Sequence, residues 1–469
     1  MVMDLHYLLE KYPPAAGDHL KETIRSGFMS ANVSLVVLDD DPTGTQTVHN
    51  TPVLTRWDTA TLEREFRNKV PLFYLLTNSR GMCERDAMII NTEIARNLSM
   101  ASSLTGRRFI VISRSDSTLR GHYPAETDAL AGELFTVEPF LFFIPAFTQG
   151  GRVTINSQHY LAGENNTVIP VSETDYARDS AFGFSSSRLT EYIVEKSAGK
   201  ISSCRIRPVT LDKIRSGGPE EVYRILDKLQ PGDIVVPDAA DTSDLEILAT
   251  AFWKWYDHEK PVLFRTAASI IPVLAGMEPR EMLNKSDFET RRPGLLIVAG
   301  SYVPLTTRQL DNLSANLDTL IIELPVTKVL DQSDPLLEKE LARKISGALE
   351  ADKIVVFQTS RELVRGITAE DSLRIVNRVS QAVVSTVSAL DPLPGIIIAK
   401  GGITSSDIAT RALKIEKAMV KGQVLAGVPV WTLGPESRSP ATDYVVFPGN
   451  VGDESSITKA VKTIRGILV

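Results

Sequence analysis

Short, unbroken runs of apolar and β-branched residues constrain this chain more than any other feature. Ser34–Leu38 reads Ser-Leu-Val-Val-Leu, and similar runs fall at Pro71–Leu76, Arg108–Ile112, Pro139–Ile144, Asp233–Val236 and Pro261–Phe264. Side chains on a strand alternate between its two faces, so a run with no polar alternation fits a strand covered on both sides. Polar stretches with helical spacing, such as Thr59–Lys69 and Asp86–Leu98, lie between the runs. That alternation predicts βαβ units and a mostly parallel sheet.

The pattern starts again after the polar stretch Asn284–Gly294, which reads as a linker. Further runs follow at Leu295–Ala299, Leu320–Leu324, Lys353–Phe357, Gly395–Ala399 and Asp443–Phe447, with amphipathic helices expected at Pro335–Glu350 and Leu373–Ala389. A chain of 469 residues also exceeds what one core serves, roughly 250–300 residues. The expectation is an α/β protein of two domains, 1–284 and 294–469, each with a mostly parallel sheet flanked by helices. The Ser-, Thr- and Asn-rich region Gly163–Lys200 is expected to form a loop or insertion beside the first sheet.

With 51 Lys and Arg against 58 Asp and Glu, the net charge of -7 argues against a general nucleic-acid coat. No apolar run approaches the roughly 18–20 residues of a membrane span, and the amino terminus, MVMDLHYLLEKYPP, lacks the pattern of a secretory leader. Only Cys83 and Cys204 are present, too few for a disulfide framework or a thiolate zinc site. A reducing cytoplasm is the expected setting, with no nucleic-acid or membrane partner. A homodimer formed through an exposed edge strand is left open.

Ligands of open parallel sheets gather where strands end and helices begin, so the residues after each run carry the functional information. After Ser34–Leu38 come Asp39, Asp40, Asp41, Pro42, Thr43 and Gly44. Three carboxylates at one turn repel, and need caps, a cation or ligand hydroxyls. One of them capping the following helix is the structural alternative. After Arg108–Ile112 comes Ser-Arg-Ser-Asp-Ser-Thr-Leu-Arg-Gly-His, residues 113–122. Arg114 or Arg120 suits a substrate carboxylate, because a guanidinium grips it with paired hydrogen bonds. An internal Asp116–arginine pair is the alternative, and His122 reads as scaffold since no second histidine lies at ligand spacing. After Pro139–Ile144, Gly150 and Gly151 precede Arg152, which suits an anion or an ordinary turn.

The second half places glycines and hydroxyls after its strands: Gly300, Ser301 and Thr306; Lys400, Gly401, Gly402, Ile403, Thr404 and Ser405; then Pro448-Gly-Asn-Val-Gly-Asp453. Such loops expose backbone N–H groups to phosphates, although each alone also suits a cap or turn. No G-x-x-x-x-G-K-[ST], G-x-G-x-x-G, H-E-x-x-H or G-x-S-x-G motif occurs.

These segments together resemble the four-carbon acid sugar kinase family. DDDPTG at Asp39–Gly44, SRSDSTLRG at Ser113–Gly121 and PAFTQGGR at Pro145–Arg152 are similar to its sugar-side elements. GSYVPLT at Gly300–Thr306, KGGITS at Lys400–Ser405, GQVLAGVPVW at Gln423–Trp431 and PGNVGD at Pro448–Asp453 are similar to its nucleotide-side elements. The resemblance spans about Ser34 to Asp453 and implies a domain for the acid sugar, a domain for ATP, Mg²⁺ carried on the phosphates, and an active site in the cleft between domains. It implies sugar contacts from Asp40, Asp41, Arg114, Asp116, Arg120 and Arg152. Among these, Asp41, Asp116 and Arg120 would serve catalysis, while Asp40, Arg114 and Arg152 would bind substrate. ATP contacts would come from Ser301, Gly401, Gly402, Ile403, Thr404 and Gly449; no metal ligand is assigned. The chain departs from the family where Arg114 replaces a common lysine, Ile403 an acidic residue and Val303 a second serine.

Two other readings remain at this point. A lyase or aldolase acting on sugar-acid phosphates would use the Asp and Arg loops equally well, with no purpose for an ATP domain. A noncatalytic sensor of sugar acid and nucleotide would keep both sites without transfer.

Overall fold

The computed structural model describes residues 3–15, 19–163, 166–288, 292–300, 303–331, 334–361, 364 and 369–468. Its strands in chain order are β1 (Met3–Asp4), β2 (Val33–Asp39), β3 (Thr51–Leu54), β4 (Leu72–Leu76), β5 (Arg108–Arg114), β6 (Phe140–Ile144), β7 (Arg152–Ile155), β8 (Gln158–Ala162), β9 (Thr167–Pro170), β10 (Ile206–Val209), β11 (Ile234–Pro237), β12 (Val262–Thr266), β13 (Leu295–Ala299), β14 (Thr319–Leu324), β15 (Ile354–Thr359), β16 (Ile396–Lys400), β17 (Lys417–Leu425), β18 (Val428–Leu433) and β19 (Asp443–Phe447). Every apolar run singled out in the sequence lies on one of these strands, and the two-domain α/β architecture is as expected.

The chain separates into two compact units, Met1–Val48 with Arg56–Pro279, and His49–Thr55 with Arg280–Val469. This differs from the sequence-based division at two places. Thr51–Leu54 leaves the first domain because β3 pairs antiparallel with β17 of the second. Arg280–Asn284 leaves it because Arg280 Nη1 donates to Lys421 O at 2.7 Å and Leu283 N to Gln423 O at 2.7 Å.

In the first unit seven parallel strands run in the order β10, β11, β6, β12, β5, β2, β4. Leu35, Val36 and Val37 of β2 are wholly buried, as an unbroken apolar run between helix layers requires. Each such side chain stabilises the fold by about 1.5–3 kcal/mol, so a charge placed at Val36 would destroy this layer. The helix Thr59–Arg67 starts where the Asp58 carboxylate accepts from Thr61 N at 3.0 Å, and it buries Leu62 and Phe66. The strand after β2 in this sheet, β4, lies on one side of it and β5 on the other. That reversal opens a crevice at their carboxyl ends. The region expected as an insertion contributes β9, which joins β1, β8 and β7 in a small antiparallel sheet.

In the second unit β14, β15, β13, β16 and β19 are parallel, and β18, β17 and β3 continue the sheet antiparallel. Its core gathers Leu295, Ile297, Ile396, Ile398, Val445 and Phe447 with Ile457, Val461 and Ile464 of the last helix, Ser456–Arg465. The direction of winding reverses here too, with β15 on one side of β13 and β16 on the other.

Candidate functional site

In the first unit, the register pairs Asp39 with Arg114 across β2 and β5, so the acidic turn and the Ser-Arg-Ser-Asp loop leave the sheet side by side. Asp41 caps the short helix Pro42–Thr47, accepting from Thr43 N at 2.9 Å and Thr43 Oγ1 at 2.6 Å. Gly44 is needed because a side chain there would strike the Asp39 carboxylate. Asp116 accepts from Arg120 Nε at 2.8 Å and from the Thr118 hydroxyl. The cap and the internal pair weighed as structural alternatives are therefore both present, inside the cluster the functional reading required.

The cation that reconciles these carboxylates is Arg80, which the sequence reading missed. Arg80 Nη2 and Nε donate to the two oxygens of Asp40 at 2.5 and 3.1 Å, and Nη1 lies 3.7 Å from both Asp41 and Asp116. It stands in Thr-Asn-Ser-Arg-Gly directly after β4, the position where the rule about strand ends should have found it. Beneath it, Arg265 of β12 donates to Glu126 at 2.7 Å and to Ser113 Oγ at 2.8 Å, and Ser79 Oγ donates to Glu126 at 2.5 Å.

Two expected substrate ligands prove to be floor residues. Arg114 is buried and donates to Asp39 at 3.0 Å and Asp40 at 3.5 Å, so its guanidinium is turned inward rather than offered to a ligand. Asp40 is equally buried and holds Arg80, Arg114 and Ser115 Oγ, the last at 2.6 Å. The accessible members are Arg120, Asp41, Arg80 and Asp116, with side chains 23%, 22%, 18% and 14% exposed. Arg120 also faces the Tyr176 ring at 4.7 Å and Asp179 at 3.9 Å. Arg152 stands apart at the start of β7, turned onto Gly150 O; on the same strand Thr154 bonds His159, whose Nε2 lies 2.8 Å from Ser117 O. His122 is scaffold, as expected, with Nε2 3.1 Å from Ser79 O and 3.0 Å from Met82 O.

Burial opposes ionisation throughout this cluster, and the arginines decide the result. The Asp116 carboxyl is held well below the usual carboxylate range by Arg80 and then Arg120, against its burial. Asp40 is likewise lowered against burial by Arg80, then Arg114 and Arg265. Asp39 goes the other way. Burial pushes it up to about 7 despite Arg114, with Asp40 and Asp41 adding repulsion.

The loop after Asp116 turns on Gly121, at φ +128°, where an added Cβ would strike Ser115 Oγ and come within 2.7 Å of Arg265 Nη2. Gly121→Ala is expected to destabilise the protein by roughly 3 kcal/mol through strain and overpacking. Thermal unfolding checks this; an unchanged Tm would show that the loop relaxes freely.

In the second unit, the register sets Ala299 beside Lys400 and Lys400 beside Phe447, so the loops after β13, β16 and β19 emerge together. Gly401, at φ +100°, precedes the short helix Gly402–Asp407 and, having no side chain, cannot cap the N–H groups of its first turn. Gly402, Ile403 and Thr404 form that turn. The Ile403 side chain is 66% exposed, and Thr404 Oγ1 lies 2.8 Å from where a Cβ on Gly300 would stand. A Cβ on Gly449 would meet nothing within 4 Å, so this backbone faces open space. Gln309, on the helix Pro304–Asn316, holds the last loop by donating to Val451 O at 3.2 Å and Asp453 O at 2.8 Å. Ser301 lies outside the described residues. Among the described residues no group of three or more His, Cys, Asp or Glu is arranged to hold a metal ion, and no helix is long and apolar enough to cross a membrane.

Each unit thus gathers its polar loops at a switch point of its own sheet, the architecture of a protein with two α/β domains. A family model for a sugar-binding N-terminal domain matches residues 35–274, and one for a nucleotide-binding C-terminal domain matches residues 296–457. The chain belongs to the four-carbon acid sugar kinase family. It is 25% identical over 408 residues to the D-threonate kinase of Salmonella typhimurium, covering 81% of this chain and 89% of that one. Two solved structures share the fold. A Salmonella typhimurium protein carrying a tRNA synthase label has TM-score 0.68 at 16% identity, over 93% of this chain and all of its own. A Haemophilus influenzae protein has TM-score 0.63 at 18% identity, over 92% and 100%.

Proposed function

We propose that this protein is an ATP-dependent kinase that phosphorylates a terminal hydroxyl of a four-carbon sugar acid of the threonate, erythronate or 3-oxo-tetronate type. The observation that carries this reading is the pairing of chemistries. An Arg80–Asp40–Asp41–Asp116–Arg120 cluster stands at the switch point of the matched sugar-binding domain. Three loops rich in glycine and hydroxyls stand at that of the matched nucleotide-binding domain.

Arg120 would hold the substrate carboxylate, and Asp41 and Asp116 would accept from its hydroxyls. Asp116 would orient the attacking oxygen; as the new P–O bond forms and the bond to ADP breaks, the hydroxyl proton leaves through it to solvent. On the nucleotide side, the N–H groups of Gly402–Thr404 and the open backbone at Gly449 suit phosphate oxygens, and Ser301 and Gly401 are assigned to the same contacts. ATP would supply the phosphoryl group and bring Mg²⁺ on its own phosphates. Two free, exposed cysteines accord with a reducing cytoplasm.

The test is ADP release by the purified protein with Mg-ATP and a panel of four-carbon sugar acids. Turnover with one acid is expected and would name the substrate. ATP binding without turnover on any acid would favour the sensor reading, for which the exposed Ile403 in place of an acidic residue is the motivating feature. Failure to bind ATP would favour the lyase.

A further inference from the structure

Lys400 closes β16 immediately before the glycine loop, and its side chain is wholly buried. A lysine in that position is unusual because its ammonium must be removed from water. Among the described residues the ammonium has one hydrogen bond, Nζ to Pro448 O at 2.8 Å, and it lies 4.3 Å from the centre of the Phe447 ring. The carboxylates on neighbouring elements are engaged elsewhere. Asp407 accepts from Ser380 and lies 3.4 Å from Arg411, Asp443 pairs with Lys421 at 2.7 Å, and Asp453 pairs with Lys459 at 3.0 Å. The hydroxyl of Tyr444 donates to Ser405 O, while β13 brings Ala299 and the helix behind it brings the neutral Thr306 and Gln309. Among the described residues, then, no anion balances Lys400. It stands between the two loops assigned to phosphate, after β16 and after β19.

We propose that Lys400 couples nucleotide binding to proton uptake in the second unit, its buried ammonium being the charge that arriving phosphates balance. The inference rests on the nucleotide-binding reading of this unit and adds a positioning residue to it. Burial alone lowers the amine to about 7, so without a ligand it gives up its proton readily. A neutral amine still donates to Pro448 O, so the loop is held in either state while its electrostatics change. Phosphates placed above it favour the charged form, and binding above neutral pH then recruits a proton.

Calorimetric titration of the intact protein with ATP at pH 8, in buffers of different ionisation enthalpy, tests this. At that pH about one amine in ten carries its proton, and the terminal phosphate of ATP is already deprotonated. The expected slope corresponds to uptake of close to one proton, with Kd rising up to about tenfold for each pH unit above 7. Lys400→Met should abolish both the uptake and the pH dependence while weakening affinity. Wild-type binding that is independent of buffer, or uptake retained by the Met variant, would overturn the inference yet leave the nucleotide reading intact. Absence of any ATP binding would overturn both. If the Met variant does not fold, the wild-type slope alone decides.

Discussion

Replacing Arg80 by leucine is expected to lower the stability of the first unit by about 3–5 kcal/mol at pH 7, the usual consequence of removing one partner from a buried charged network. The leucine fills much of the volume but leaves Asp40 without its paired donors and Asp41 and Asp116 without the cation 3.7 Å away. The effect carries a sign in pH. In the native protein Asp40 and Asp116 sit below their unfolded values, so their contribution is present above about pH 4 and lost only as pH falls through the lowered folded values. In the variant those carboxyls bind protons more readily, so the deficit is largest at neutral pH and shrinks toward pH 4. Denaturant midpoints at pH 7 and pH 4 measure this, followed by fluorescence of Trp253 and Trp255, both in the first unit. A deficit of the same size at both pH values would mean that Arg80 acts by packing rather than charge. Arg80→Lys keeps the charge but cannot span both oxygens of Asp40, and should fall between.

Arg80 also shows where the sequence was readable and where it was not. Buried parallel strands announce themselves because both faces must be apolar, and β2, β5, β13 and β16 were legible for that reason. The strands missed were β1, β3, β7, β8, β9, β10, β17 and β18, which are short or have one face less covered; β17 alternates buried and partly exposed residues along its length. No local signal in Thr51–Leu54 says that it will pair with residues more than 360 positions later, because register across such a distance is a tertiary property. The site followed the same division. Asp40, Asp116 and Arg120 were found because they crowd into two short loops, yet which of them would be accessible depended on partners from elsewhere in the chain. Arg114 was assigned to substrate from its chemistry and from the family resemblance. Its burial against Asp39 and Asp40 follows from the pairing of β2 with β5, which composition does not encode. Arg80 looked ordinary because its only acidic neighbours in sequence lie outside the site.

Asp116→Asn is expected to reduce turnover of the sugar acid by about 10²–10⁴ while leaving ATP affinity within about twofold. The amide keeps the size of the carboxyl and removes its charge. One acceptor oxygen can still face Arg120 Nε, which reaches Asp116 at 2.8 Å, but the amide no longer offers a second acceptor or a negative charge to balance Arg80 and Arg120. Asp116 borders a small cavity together with Ser115, Arg120, Phe143 and Tyr192, and its partly exposed side chain can meet a ligand that Asp40 cannot. Because Arg80 and Arg120 hold it ionised, it is a weak base. Its contribution is to align the hydroxyl and accept the proton only as the new bond to phosphorus matures, where positioning rather than basicity limits the rate. The pH–rate profile of the wild type should accordingly show no acid limb from Asp116 between pH 5 and pH 8. Measuring kcat by ADP release and Kd for ATP by calorimetry separates the roles. Equal losses in both would count against assigning Asp116 to the acceptor side, and unchanged turnover would move the aligning role to Asp41, the other partly exposed carboxylate of the cluster.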